Sequence, residues 1–332
     1  MADTTFRAMV VEESGDKAFA RKIVQRRVDE LPDGEVLVKV SWSSLNYKDA
    51  LSASGNRGVT KKYPHTPGID ASGVVEESRN ASVQPGDKVI VTSYDLGMNT
   101  SGGFAEYIRV PAAWVVPLPD GLSLRESMIY GTAGFTAGMS VFALAERIAP
   151  GAGEILVSGA TGGVGSMSLA ILAKLGYSCA VVTGKPEAAE YLKRLGAARI
   201  LSRVEATEGS GKPLLKGVWA GVVDTVGGEI LATAIKSTDM HGIVTCCGNV
   251  AAPDLPLNVF PFILRGVSLI GIDSQNCPMA HRRQVWQNLA GDWKPAQLGE
   301  MAREVSLDEL EKEIELILRG GQVGRVLVRL QK

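Results

Sequence analysis

Residues 154–177 read EILVSGATGGVGSMSLAILAKLGY, and the rest of the chain is organised around them. The apolar run Ile155-Leu156-Val157 predicts a buried parallel strand, GATGGVG at 159–165 a turn, and Met167-Ser168-Leu169-Ala170-Ile171-Leu172-Ala173 a helix that Gly176 stops. Glycines at 159, 162, 163 and 165 let the backbone bend sharply and approach a ligand closely. The N–H groups that open the following helix have no partners within it and point at an anion. A dinucleotide pyrophosphate is the natural occupant. The strict G-x-G-x-x-G fingerprint fails, because Gly163 and Gly165 supply its first two glycines and Ser168 stands third. The assignment therefore rests on the strand and helix that flank the turn, against the plainer reading of a strand-to-helix turn with no ligand.

Composition bounds the rest. A chain of 332 residues with 45% hydrophobic content buries a large core and has the length of two domains. Lys plus Arg (35) balance Asp plus Glu (36), so no overall basic field exists to attract nucleic acid or an anionic membrane surface. The first residues show no basic segment followed by an apolar core, and no apolar run of membrane-spanning length is expected, which places the protein in the cytoplasm without a membrane partner. Cys179, Cys246, Cys247 and Cys277 form neither a C-x-x-C pair nor a disulfide framework and read as core thiols.

Upstream of the glycine turn, residues 6–118 alternate in short β segments with turn punctuation. Candidates are 35–40, 69–75, 88–91 after the Pro85-Gly86 turn, 104–110 and 114–117. Many short strands before any long helix predict a closed or partly closed β-barrel. Ser123-Leu124-Arg125-Glu126 spells a capping box and opens a helical segment, which residues 131–137 interrupt before a second helix over 139–148.

Downstream, strands at 179–183, 199–201, 221–224, 242–246 and 267–272 alternate with helices at 187–195 and 229–237. With the strand at 155–157 they make six strands of a doubly wound parallel sheet, the Rossmann arrangement. Ligands of such sheets lie beyond the strands' carboxyl ends, so Thr183, residues 224–227, residues 247–249, Asp273 and Ser274 are expected to face the cofactor. Helices at 279–289 and 307–318, the second opened by Ser306-Leu307-Asp308-Glu309, precede a final strand at 325–330 that returns to the first domain. The expected domains are 1–124, 125–273 and 274–332, the last rejoining the first.

The end of the second strand discriminates between nucleotides. An NAD-preferring fold places Asp or Glu there to hold the ribose 2′-hydroxyl. Here it reads Thr183-Gly184-Lys185, with Arg203 past the third strand, so a hydroxyl and two cations meet a 2′-phosphate and NADPH is the expected cofactor. The plainer reading of Lys185 is a solvated turn residue.

Five segments carry a resemblance across nearly the whole chain: SLNYKD at 44–49, PGIDASG at 67–73, GGFAEY at 102–107, GTAGFTA at 131–137 and the GATGGVG turn. Together they resemble the medium-chain dehydrogenase/reductase superfamily in its zinc-free, quinone-oxidoreductase-like part. SSLNYKDA, PGIDASG, GTAGFTA, Trp219-Ala220-Gly221, PFILR at 261–265 and GIDS at 271–274 resemble its acryloyl-coenzyme A reductase branch. The resemblance implies a GroES-like β-barrel catalytic domain beside the Rossmann domain. Zinc members of the superfamily use a cysteine near the position of Asn46 and a Gly-His-Glu near Gly68-Ile69-Asp70, and here these positions lack zinc's thiolate and imidazole ligands. His65 is a lone histidine, and no metal is expected.

By resemblance, Asn46 and Tyr47 sit by the nicotinamide, with Tyr47 a candidate proton donor or cofactor contact, and Thr136 packs near the ring. Thr161, Gly162, Gly163 and Val164 hold the pyrophosphate, and Asn249 and Ser274 the nicotinamide half. The implied activity is NADPH-dependent reduction of the double bond of an α,β-unsaturated acyl-CoA, acryloyl-CoA foremost. Reduction of a quinone or small enone is the alternative, and a nucleotide-binding protein with little catalysis a third reading. The competing reading for Tyr47 is a buried, hydrogen-bonded tyrosine. Asp49 reads as structural, beside Lys48. Arg57, Lys61 and Lys62 are candidates for the coenzyme A phosphates, against the plainer reading of a solvated loop. The apolar edge strand at 267–272 makes a homodimer an expectation.

Overall fold

The computed structural model describes residues 4–15 and 18–331. The chain forms two compact units, Met1–Thr132 with Gln275–Gln287 and Leu298–Lys332, and Ala133–Ser274 with Asn288–Gln297. The first crossover thus falls after Thr132, later than the expected boundary at 124, and residues 288–297 group with the second unit.

The first unit opens with the hairpin β1 (Thr5–Ser14) and β2 (Ala18–Arg27), followed by β3 (Val36–Ser44), helix α1 (Tyr47–Ala53), β4 (Asp70–Ser78), β5 (Lys88–Thr92), β6 (Tyr107–Val110) and β7 (Val116–Pro117). Of the strand expected at 114–117, Trp114 instead ends a 3₁₀ turn over residues 112–114 that begins after Pro111, and pairing resumes only at Val116. Helix α1 lies where the sequence pattern showed only strands. Its start follows the Asn46-x-x-Asp49 spelling, in which the Asp49 carboxylate reaches back to accept the Asn46 N–H at 2.8 Å.

Helix α2 (Leu124–Ala145) begins with the expected box, Glu126 accepting from the Ser123 N–H at 2.9 Å. The expected interruption over 131–137 shrinks to one residue. Gly131 takes φ 51°, ψ −156°, and the helix resumes at once because the Asp70 carboxylate accepts the Thr132 N–H at 2.9 Å. A carboxylate from a distant strand caps the restart, which local sequence does not show. Contrary to the expectation from sequence, α2 is long and apolar enough to cross a membrane, but 72% of its apolar window is buried in protein, as befits a core helix.

The second unit continues with β8 (Glu154–Val157), α3 (Gly163–Lys174), β9 (Cys179–Val182), α4 (Ala189–Arg194), β10 (Ala197–Leu201), α5 (Arg203–Ala206), β11 (Trp219–Asp224), α6 (Gly228–Lys236), β12 (Thr238–Cys246), α7 (Phe260–Arg265) and β13 (Ser268–Gly271). These six strands are parallel in the order β10-β9-β8-β11-β12-β13, with the reversal at β8, so the expected doubly wound sheet is present. Its strands read as continuous apolar runs because helices cover both faces; Leu156, Val182, Val222 and Val244 join Leu231 and Ile235 of α6 in one core. The helix expected at 187–195 is shorter, since Pro186 opens a 3₁₀ turn before α4.

The chain then adds α8 (Met279–Ala290), β14 (Ala302–Ser306), α9 (Leu310–Leu318) and β15 (Arg325–Arg329). The Ser306–Glu309 box forms, but it opens a 3₁₀ turn ahead of α9. β15 pairs antiparallel with β3, so the last strand closes the first unit's sheet in the order β14-β15-β3-β4-β5-β7, with β6 also on β3. Leu310 and Ile314 of α9 pack into that unit's core.

Candidate active site

The nucleotide half is built at the carboxyl ends of β8, β9 and β11. The turn after β8 is anchored on both sides, the Ser158 N–H donating to the Val223 carbonyl at 3.0 Å and the Ala160 N–H to Val182 at 3.2 Å. Gly159 sits at φ 59°, a conformation costly for any residue with a Cβ, and a Cβ at Gly165 would run into the Gly159 carbonyl. Glycine at 165 therefore lets α3 start hard against the strand. Gly162 caps α3 without any side-chain hydrogen bond, so the first N–H groups of a 12-residue helix stay open to an anion. Thr161 is buried, Gly162 exposed, and Gly163 and Val164 half-buried around that opening.

Asp224 holds the neighbouring loop. Buried completely at the end of β11, it accepts from Ser158 Oγ at 2.7 Å and from the Val226 and Gly227 N–H groups at 3.1 and 2.7 Å. Burial raises its carboxyl above the ordinary range, and these three donors pull it back toward the ionised form. Asp224 thus fixes the loop rather than facing a ligand.

At the end of β9, Thr183 Oγ1 accepts the Lys185 N–H at 3.0 Å. The Arg203 guanidinium lies over Gly184, where a Cβ would stand 2.5 Å from its Nε. Burial holds the Lys185 ammonium below its ordinary value; Glu187 opposes this, and the neighbouring charge of Arg203 adds to it. Thr183, Gly184, Lys185 and Arg203 thus lie together at the end of β9, and two neighbouring cations suit a dianion. Further along the sheet, Cys246, Cys247, Gly248, Asn249, Gly271, Ile272 and Asp273 line an open cleft of about 560 Å³, with Ser274 next in the chain. Burial pushes the Cys247 thiol up to about 12, so it stays protonated. Thr136 is buried within α2 and its carbonyl accepts from Ser140 Oγ at 3.0 Å. The open helix N-terminus, the glycines that bring it close and the paired cations fit a pyridine dinucleotide carrying a 2′-phosphate.

In the first unit, the residues around Asn46 and Tyr47 are organised by a buried ion pair that left no sign in the local sequence. Asp70 accepts from Ser44 Oγ at 2.6 Å, Asn46 Nδ2 at 2.7 Å and Thr132 Oγ1 at 2.6 Å, besides the Thr132 N–H. Arg325 Nη2 stands 3.7 Å from Asp70 Oδ2, both side chains essentially inaccessible, and donates to Ser44 Oγ at 2.8 Å. Its Nη1 donates to Asn46 Oδ1 and to the Leu45 carbonyl at 3.1 Å each. Asn46 is thus gripped from three sides. A Cβ on Gly131 would fall among Asp70, Ser44 and Arg325, so the glycine leaves room for the cluster. Asp49 completes it, accepting the Ile69 N–H at 2.7 Å. Its partners are these backbone groups and Asn46, not Lys48, whose ammonium donates to Gln275 Oε1 at 2.9 Å.

Held at the head of α1 by this cluster, Tyr47 is 45% exposed, which overturns the reading of a buried tyrosine. Arg57 pairs with Glu13 at 2.5 Å and covers the Tyr63 ring, while Lys61 and Lys62 are exposed. The Asn46-x-x-Asp49 spelling was readable in the sequence; Arg325, more than two hundred residues from Asp70, left no local signal.

Zinc chemistry finds no support in this cluster. Asn46, Ile69 and Asp70 offer neither thiolate nor imidazole, Asp70 is already surrounded by donors, and no group of three or more His, Cys, Asp or Glu suited to a metal occurs among the described residues. These residues do not fit the ion.

Residues 32–120 match the family model of the alcohol dehydrogenase GroES-like domain, and residues 163–291 that of the zinc-binding dehydrogenases. The chain is 45% identical to the acrylyl-CoA reductase AcuI of Ruegeria pomeroyi, over 97% of this chain and 98% of the relative. It is 44% identical to YhfP of Bacillus subtilis, named for quinone oxidoreduction, over 98% of this chain and 99% of YhfP. The crystal structure of YhfP with NAD bound superposes with a TM-score of 0.96 over 99% of this chain and all of that one. The yhdH oxidoreductase of Salmonella enterica in complex with NADP, 42% identical, does so with a TM-score of 0.95, covering 98% of this chain and 100% of its own. Matched from end to end by such relatives, the chain belongs to the medium-chain dehydrogenase/reductase superfamily of oxidoreductases.

Proposed function

We propose that this protein reduces the carbon–carbon double bond of an α,β-unsaturated acyl-CoA with NADPH, converting acryloyl-CoA to propanoyl-CoA. The observation that carries the substrate class is the similarity, over nearly the full length of both chains, to an acrylyl-CoA reductase. The cofactor choice follows from the Lys185–Arg203 pair beside Gly184 and is supported by the NADP bound in the Salmonella relative.

When bound, NADPH supplies a hydride for the β-carbon of the conjugated thioester. Thr161, Gly162, Gly163 and Val164 hold the pyrophosphate at the α3 N-terminus, Thr183, Gly184, Lys185 and Arg203 the 2′-phosphate, and Asn249, Ser274 and Thr136 the nicotinamide half. Asn46, fixed by Asp70, Asp49 and Arg325, orients the nicotinamide and acyl carbonyl, and the exposed Tyr47 phenol delivers the proton to the α-carbon. The free-thiol state of all four cysteines suits a reducing, cytoplasmic compartment. The apolar surface of Val259, Phe260, Ile263, Leu264 and Leu269 around edge strand β13 suits a homodimer, which light scattering on an eluting peak checks, a monomer only refuting it.

A second reading, reduction of a quinone or small enone, is favoured by the name YhfP carries and by Arg57, a candidate coenzyme A contact, already being paired with Glu13. Following NADPH oxidation with acryloyl-CoA and a simple quinone in parallel separates the two. Preference for the thioester by at least about tenfold in kcat/KM supports the acyl-CoA reading. Preference for the quinone overturns it and leaves the cofactor assignment in place.

A further inference from the structure

We propose that Lys48 stabilises the negative charge that develops on the substrate's carbonyl oxygen; the thioester form of this role rests on the acyl-CoA reading above. As hydride joins the β-carbon, the alkene π pair shifts toward the carbonyl to give an enolate, and a proton at the α-carbon then completes the reduction. An oxygen that becomes anionic needs a positive charge or donors at that moment. In a site without a Lewis acid the chain itself must provide one.

Four observations in the first unit converge on Lys48. It follows Tyr47 directly in the first turn of α1 and is half-buried, unlike the exposed Lys61 and Lys62. Its Nζ donates to Gln275 Oε1 at 2.9 Å and to no carboxylate among the described residues. The adjacent Asp49 is turned inward onto the Asn46 and Ile69 N–H groups and does not compensate it. A cation in the first turn of a helix also stands at the disfavoured end of the peptide dipoles. A half-buried lysine at the wrong helix end, tethered by a neutral amide, departs from local preference in the way functional residues do.

The tether itself is built. The Gln275 carbonyl accepts the Tyr94 N–H at 3.2 Å and Arg282 Nη2 at 3.3 Å. Arg282 is fully buried, donates to the Thr92 carbonyl at 3.2 Å and lies 4.4 Å from the centre of the Tyr94 ring, which stacks on Trp114. Ser93 and Tyr94 both have left-handed backbone, φ 67° and 50°, a strain that this packing maintains. Gln275 is therefore held in place by a buried arginine and a strained turn, and Lys48 is held by Gln275. A neutral amide fixes the ammonium without cancelling its charge.

Lys48→Met, Lys48→Arg and Gln275→Glu test this, assayed with acryloyl-CoA, with the truncated acryloyl thioester of N-acetylcysteamine and with a quinone, alongside NADPH affinity from fluorescence titration. The expected result is a kcat loss of about 10²-fold in Lys48→Met on both thioesters, with KM and NADPH affinity changed less than about threefold and much of the loss restored in Lys48→Arg. Gln275→Glu keeps the tether but neutralises the charge, so it is expected to lower kcat about tenfold while leaving stability at or above wild type. If Lys48→Met does not fold, Gln275→Glu carries the test alone. A loss confined to KM for acryloyl-CoA and absent with the truncated thioester would assign Lys48 to the coenzyme A phosphates and overturn the proposal, as would unchanged kcat in Gln275→Glu. If the wild type reduces only the quinone, the acyl-CoA reading fails by itself; a kcat loss on the quinone in the variants then upholds the charge-stabilising role, and none overturns it.

Discussion

Asp70→Asn keeps shape and removes charge from the centre of the buried cluster that holds Asn46. The carboxylate receives hydrogen bonds from Ser44 Oγ, Asn46 Nδ2 and both the N–H and hydroxyl of Thr132, and its charge faces Arg325 at 3.7 Å with neither group open to water. An amide keeps one acceptor oxygen and turns its NH₂ toward donors, so two of the four incoming groups lose their acceptor. A buried donor without a partner costs about 1–3 kcal/mol. Breaking a buried ion pair on one side costs about 3–5 kcal/mol. The two costs share atoms and do not add, so the expected loss is about 4 kcal/mol. Equilibrium urea unfolding, followed by tryptophan fluorescence and far-UV circular dichroism, reads it as a lower midpoint at unchanged slope. Adding Arg325→Met removes the uncompensated charge, and the double variant is expected to recover about half of the loss. A cost below about 1 kcal/mol for Asp70→Asn, the range of exposed pairs, would show that water reaches the cluster and refute this reasoning.

Three further predictions concern cofactor, catalysis and pH. Removing both cations in Lys185→Ala/Arg203→Ala is expected to weaken NADPH binding by about 10²-fold while NADH binding changes little, as measured by fluorescence titration; an unchanged ratio removes both residues from the 2′-phosphate site. Tyr47→Phe is expected to lower kcat by about 10²-fold with NADPH affinity preserved, and turnover near wild type eliminates the proton-donor role. The Asp49 carboxyl, pushed up to about 7 mainly by burial and then by the like charge of Asp70, holds its proton more tightly in the folded protein than in the unfolded chain. Its contribution to stability is therefore complete below the unfolded value, near 3.8, and is lost as pH rises through about 7. Urea midpoints measured from pH 4 to 8 should fall over that window in the wild type and fall less in Asp49→Asn; identical slopes would mean that the backbone donors from Asn46 and Ile69 already hold Asp49 ionised.

Sequence by itself determined what depends on local period and local chemistry. The apolar strands, the glycine turn after β8, the capping boxes at Ser123 and Ser306 and the missing carboxylate after β9 are each legible within a few residues, because strand burial, turn geometry and helix capping are short-range effects. The parallel, doubly wound character of the sheet followed from the alternation of strands and helices, since a parallel strand pair needs a crossover. Three features were decided only in three dimensions. Gly131 breaks α2 for one residue rather than seven because Asp70, far away in the chain, caps the restart at Thr132. Arg325 and Asp70 meet only when β15 closes onto β3, and Lys48 is fixed by Gln275, whose own place is set by Arg282. Buried polar groups take their partners from wherever the fold brings donors and acceptors together, and sequence separation carries no information about that. The nucleotide turn was therefore readable as a motif, whereas the cluster that positions Asn46 and Tyr47 became visible only when the tertiary structure satisfied its hydrogen bonds.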